Sequence, residues 1–273
     1  MPGELTGQIT AFFLHDVAES MDLAAARTLL GGAGQSARLP VRQPIPAYVR
    51  YTDPPVQVDG EAVGLGPVDG FQVRVTIYDY GVVSLSLSRP FHGPWAELVR
   101  LAQWTAAAGL DVRAEEYCRQ AAQRLAPAMT HPRAAFLAED YFVYAVTGLE
   151  SPATADALVA AHGDDIAQVL RGEGERLSPQ ERDEVLRHRL SYFASDLVIP
   201  SWNAAFVYDT EAGLTGALEI LEFANSQLLE FRHYDQRLDE DLTRIYARLQ
   251  ATRWYSPGSA GATRQPPASS TAC

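Results

Sequence analysis

Residues 73–88 read VRVTIYDYGVVSLSLS, and this stretch decides the fold class. Val73, Val75 and Ile77 alternate with Arg74 and Thr76. After Asp79-Tyr80-Gly81 the alternation resumes as Val83, Leu85 and Leu87 against Ser84, Ser86 and Ser88. Period-two alternation on both sides of a glycine turn predicts a β-hairpin, or one long strand bent at the glycine. Toward the N-terminus, residues 8–17 read as a buried strand and residues 22–30 as a short helix. Residues 38–70 are dense in turn formers, among them Pro40, Pro44, Pro46 and Pro54-Pro55. Short edge strands fit there at 48–51 and 56–58.

Toward the C-terminus, Pro94 opens a helix reaching about residue 108, and Asp111 caps a second reaching about residue 129. A strand at 136–146 carries Glu139-Asp140. Short helices fill 152–189: Ser151-Pro152 starts one, Gly163 stops it, and Ser178-Pro179-Gln180-Glu181 is a capping box. Strands at 190–199 and 204–208 follow, joined through Pro200-Ser201-Trp202-Asn203, with Trp202 expected to pack on the last helix. That helix is the longest element. Every third and then fourth residue from Leu214 gives Leu214, Ala217, Leu221, Ala224, Leu228, Phe231, Asp235, Leu238, Leu242, Ile245 and Leu249. The series is apolar except for Asp235 and has the 3.5-residue spacing of a coiled-coil seam. Up to Phe231, extra apolar residues (Leu218, Ile220, Phe223, Leu229) predict burial on several sides, with Leu221 and Leu228 against the sheet. Beyond it, Arg232, Arg237, Glu240, Asp241, Arg244 and Arg248 flank a single stripe.

The chain of 273 residues carries a net charge of −12, which disfavours nucleic acid and anionic membrane surfaces as partners. All 22 basic residues are arginine. Schiff-base, Walker-loop and lysine-base chemistry are therefore excluded. Two cysteines, Cys118 and Cys273, imply no disulfide framework and fit a reducing cytoplasm. The N-terminal apolar cluster at 11–14 lacks a basic region before it and does not read as a signal peptide. No run approaches the ~20 apolar residues of a membrane helix.

CxxC, HExxH, GxSxG and Walker signatures are all missing from the chain. Acids at strand ends remain: Asp79, Glu139, Asp140, Asp196 and Asp209. A convergence of such carboxylates would suit a divalent metal or acid–base work on a phosphoester or nucleotide. Turns also favour Asp for backbone hydrogen bonding alone. No catalytic, cofactor-binding or metal residue is assigned, and no cofactor is expected.

Four stretches carry a family resemblance. Ile77-Tyr78-Asp79-Tyr80-Gly81-Val82-Val83-Ser84 resembles the strand–Gly–strand motif of the required-for-meiotic-nuclear-division family. Arg187-His188-Arg189-Leu190-Ser191-Tyr192-Phe193-Ala194-Ser195-Asp196-Leu197-Val198-Ile199-Pro200 resembles the segment before that family's final helices. Glu139-Asp140-Tyr141-Phe142 lies where the family has its middle strand, and residues 223–232 look like its bacterial branch. The resemblance implies a domain of unknown function with no established enzymatic activity. It also implies eukaryotic relatives that are mitochondrial or membrane-associated, one of them supporting mitochondrial translation. The family's closing apolar segment is replaced here by a Ser/Pro/Ala tail, so membrane anchoring does not carry over.

These readings give an α+β fold, a mixed or antiparallel sheet with flanking helices and a long C-terminal helical arm. The expected division is an α+β domain at 1–211, the long helix at 212–255 and a disordered tail at 256–273. The first half of the helix is expected on the domain and the second half as an arm. The function expected is a non-enzymatic scaffold or adaptor. It would bind itself or another protein through an interface of Asp235, Leu238, Leu242, Ile245 and Leu249.

Overall fold

The computed structural model describes residues 4–30, 35–36, 54–60, 63–65, 68–151 and 153–254. The strand expected at 48–51 and the tail at 256–273 lie outside them. The chain divides into two units, Met1–Phe231 and Arg232–Cys273.

The first unit is built on one mixed sheet. Its strands are β1 (Glu4–Met21), β2 (Gln35–Ser36), β3 (Val56–Asp59), β4 (Val63–Leu65), β5 (Val68–Ile77), β6 (Val82–Pro94), β7 (Met129–Leu149), β8 (Leu197–Pro200) and β9 (Ala204–Tyr208). Their order is β2-β3-β5-β6-β1-β7-β9-β8, with β4 paired to β5 off that path. Every pairing between these strands is antiparallel except β7 with β9. That parallel pair needs a crossover. It is supplied by α4 (Ala155–Arg171) and α5 (Pro179–Val185), and the chain adds β8 before returning. The other helices are α1 (Leu23–Leu29), α2 (Trp95–Ala107), α3 (Leu110–Leu125) and α6 (Glu211–Trp254). The fold is α+β, as the alternating stretch required.

Both sheet faces are covered, which explains the near-continuous apolar run in β1. A strand wet on one face would alternate. Ile9, Ala11 and Phe13 face α2 and α4 in one core with Leu85, Leu87, Trp95, Leu98, Ile166 and Phe206. Phe12 and Leu14 face the other way, with Tyr141, Val143 and Val207, against Leu214 and Leu229 of α6. A third cluster closes one end of the sheet, where Val17, Met21 and Val83 meet Cys118 and Leu125 of α3.

Several boundaries differ from the sequence reading. Gly109, in the left-handed conformation at φ 60°, precedes α3, and Asp111 sits within its first turn. α4 runs through Gly163 and ends at Gly172, φ 64°, after a non-helical residue at His162. Gly163 is there for close packing: a Cβ would lie 3.0 Å from Leu186 Cδ1. The strand expected at 190–199 contracts to β8. The Asp196 carboxylate accepts from the Tyr192 and Phe193 amides at 2.7 and 2.8 Å and makes a turn there. Trp202 is 73% exposed and does not pack on α6. Ser178 caps α5 with its hydroxyl accepting from the Glu181 amide at 3.2 Å, but the Glu181 carboxylate accepts from Arg171 Nε at 2.8 Å instead of closing the box.

Candidate functional site

The first part of α6 lies on the sheet through the seam's first members, Leu214, Ala217 and Leu221, and then along a stripe rotated away from the seam. Leu214, Glu222, Asn225, Ser226 and Leu229 are buried, whereas Ile220, Leu228 and Phe231 are exposed. Leu228 was expected against the sheet and is 39% exposed; its neighbour Leu229 is 0% exposed. The sheet explains the rotation, because this face is half polar. Toward β7 and β9 it offers Tyr141, Val143, Ala145, Ala205 and Val207, which receive Leu214 and Leu229. Toward β5 and β6 the alternation puts Arg74 opposite Ser86 and Thr76 opposite Ser84. Glu219 and Glu222 meet that half. Tyr80 ties the helix down through a 2.6 Å hydrogen bond to Ser226 Oγ.

Between this polar half and α6 lies a cleft of about 910 Å³. Its floor carries Gln8, Thr10, Arg74, Ser86 and Ser88, and its helical wall Leu214, Leu218, Glu219 and Glu222. Arg74 is held at the mouth by Asp59, at 2.8 Å. Glu222 is only 5% exposed. Burial raises its pKa; the Ser84 and Thr76 hydroxyls and the Arg74 charge pull it back only in part. Even so, Glu222 Oε1 and Ser84 Oγ complete no hydrogen bond of good geometry. Burial, then the neighbouring charge of Glu222, pushes Glu219 up to about 7. Further along, burial and the charge of Asp16 push Glu230 to about 7 as well, against the pull of Arg133.

A carboxyl whose pKa rises on folding keeps a proton that the unfolded chain gives up. Its charged form therefore costs stability above the folded pKa, and the cost disappears as pH falls to the unfolded value. For Glu219 the window runs from the ordinary 4.5 to about 7. The isosteric Glu219→Gln/Glu222→Gln variant should accordingly melt several degrees above the wild type near pH 8. The gap should close toward pH 5, as differential scanning calorimetry across that range will read.

The strand-end acids do not converge. Glu139 and Asp140 are consecutive on β7 and pair with Leu14 and Phe13, so their side chains leave opposite faces of the sheet. Asp196 makes the turn already described, and Asp209 Oδ1 accepts from the Thr210 amide at 2.6 Å, just before α6. Asp79 lies in the tight turn between β5 and β6. Among the described residues, no group of three His, Cys, Asp or Glu side chains could hold a metal ion. The carboxylate-metal alternative thus loses its motivating feature. A second cleft, about 470 Å³, collects His15, Asp111, Glu115, Asp140 and Asn203 on the opposite face. Burial lowers the pKa of His15 there.

In the second unit, α6 carries the stripe expected to form an interface. Leu238, Leu242, Ile245 and Leu249 are 50–61% exposed, and Asp235 is exposed beside them. Asp241 pairs with Arg244 one turn on, at 3.0 Å. None of the described helices is long and apolar enough to cross a membrane.

The family model for the N-terminal domain of the uncharacterized protein MJ0711 matches residues 6–215. The chain belongs to that family. The uncharacterized protein MJ0711 of Methanocaldococcus jannaschii is 24% identical over 112 residues, 41% of this chain. The match spans 34% of that relative's own length. No solved structure matches. A family without an established function was expected, but not this one: the likeness to the required-for-meiotic-nuclear-division family and its bacterial branch is not borne out. One of the motifs that suggested it, the alternating strands around a glycine turn, is what any hairpin of this geometry needs and carries little lineage information. Glu219, Glu222 and the stripe at 238–249 all lie beyond the residues that the family model matches.

Proposed function

We propose that this protein is a non-enzymatic scaffold whose two copies associate through residues 238–249, pairing the C-terminal helices antiparallel. The carrying observation is the set of four large apolar side chains left at least half exposed along one stripe of a helix. An amphipathic helix draws most of its stability from covering such a stripe. A second copy fits the charge pattern. In a parallel pair each seam position meets itself, which would set the two Asp235 carboxylates against each other. Antiparallel pairing instead puts Leu238 opposite Leu249 and Leu242 opposite Ile245, leaves Asp235 outside these layers, and brings Asp241 near Arg248 of the other copy. We place the assembly in the cytoplasm, in keeping with Cys118 as a buried free thiol.

Light scattering on eluting full-length protein at ~10–100 μM should give the mass of two chains. Leu238→Asp/Leu242→Asp should give one chain with unchanged circular dichroism below 230 nm apart from partial loss from the last helix. A charge at a buried seam position costs several kcal/mol. Asp241→Arg should weaken the dimer by about 2–30-fold, from two exposed ion pairs of ~0.2–1 kcal/mol each. Asp241→Arg/Arg248→Asp should restore it. That rescue separates self-association from docking of another protein and from the local loss of the Asp241–Arg244 pair.

A further inference from the structure

We propose that the 910 Å³ cleft between α6 and the polar half of the sheet binds a small organic cation, a diamine or polyamine, on the carboxylates of Glu222 and Glu219. The volume is in the range of ligand pockets. Folding normally hydrogen-bonds or pairs a buried carboxylate, because leaving it alone is costly. Glu222 is 5% exposed and faces this cleft with Oε1 unsatisfied. Glu219, one turn earlier on the same wall, doubles the negative charge, and Glu211 and Asp59 also line the space. Arg74 is committed to Asp59.

This lining discriminates between ligand classes. An anion would meet the Glu219 and Glu222 carboxylates on the helical wall, and Arg74, whose charge acts on Glu222, is already paired with Asp59. A Ca²⁺ ion would need about six to eight oxygen ligands around one point, and among the described residues no group of three His, Cys, Asp or Glu side chains could hold a metal ion. An ammonium needs three acceptors. Glu222, Glu219 and the Ser86 hydroxyl supply them from one helix and one strand. The rest of the floor, with Gln8, Thr10 and Ser88, suits the further N–H groups of a polyamine. The apolar flank of Leu214 and Leu218 suits its methylene spacers. The dimer proposed above uses other residues, and this inference does not depend on it.

Isothermal titration of the full-length protein with spermidine near pH 8, in 0.15 M salt, tests the site. One equivalent should bind per chain, and Glu222→Gln should weaken it at least about tenfold, the loss expected for a hydrogen bond to a charged group. The variant keeps the shape of the side chain and should remain folded, which a melting curve verifies. Three results would overturn the inference: no heat at millimolar spermidine, equal binding by Glu222→Gln, or Mg²⁺ binding that is lost in the same variant while spermidine does not compete. Equal binding by the variant would mean non-specific attraction to an acidic protein.

Discussion

Leu229→Ala is expected to cost about 2–5 kcal/mol of folding stability, whereas Leu228→Ala should cost well under ~1 kcal/mol. The two residues are neighbours on one helix and identical in type, so propensity and composition cancel. What differs is their placement. Leu229 is 0% exposed among Phe12, Leu14, Tyr141 and Val207, and Leu228 is 39% exposed. Truncating Leu229 removes buried contacts and leaves a cavity that neighbouring strands cannot collapse into; truncating Leu228 shortens a side chain that lies outside that cluster and opens no enclosed cavity. Urea denaturation midpoints of the two variants check this. Equal losses, or a larger loss at Leu228, would mean that the seam read from the sequence is the one that packs.

Gly81→Ala should be the other severe change, at roughly 2–5 kcal/mol, from two causes. Gly81 has φ 83°, a region costing an L-residue about 1–2 kcal/mol. A Cβ there would also lie 2.0 Å from the Ala18 carbonyl oxygen. That carbonyl belongs to β1 and cannot swing aside like a side chain; overpacking of this kind costs about 1–3 kcal/mol more. The close approach is functional in the fold, because the Val17 amide donates to Gly81 O at 3.0 Å and docks the turn on the central strand. Thermal unfolding by circular dichroism will show a large drop in Tm. Gly70→Ala serves as the comparison. Gly70 has φ 81° but nothing within 4 Å of a Cβ, so only the backbone cost applies.

The contrast between these sites shows what was legible in the sequence. The hairpin was readable because its alternation and its glycine turn are local. The lengths of β1 and β7 were not, since strands of that reach are maintained by each other along their common ladder. The misreading of α6 has a specific cause. Glu219, Glu222, Ser226 and Glu230 recur at spacings of three and four, and such a polar stripe ordinarily faces water. Here it faces a sheet whose own serines and threonine are polar. Only the pairing of Thr76 with Ser84 and Arg74 with Ser86 reveals that the two polar stripes meet. The stripe itself was visible in the sequence and was the one available signal for the cleft. Gly163 was misread as a stop because a packing glycine and a terminating glycine look alike without the partner, here Leu186.

The central claim is the antiparallel pairing of residues 238–249, and cysteine cross-linking tests it most directly. In a Cys273→Ser background, Leu238→Cys and Leu249→Cys proteins are oxidised separately and as an equal mixture, and the products are run on non-reducing gels. Antiparallel pairing predicts a cross-linked dimer in the mixture and little in either alone, since the two Leu238 positions would then stand ~16 Å apart along the helices. Efficient cross-linking of each variant with itself would show a parallel pair, and no cross-link in any of the three would contradict self-association through this stripe.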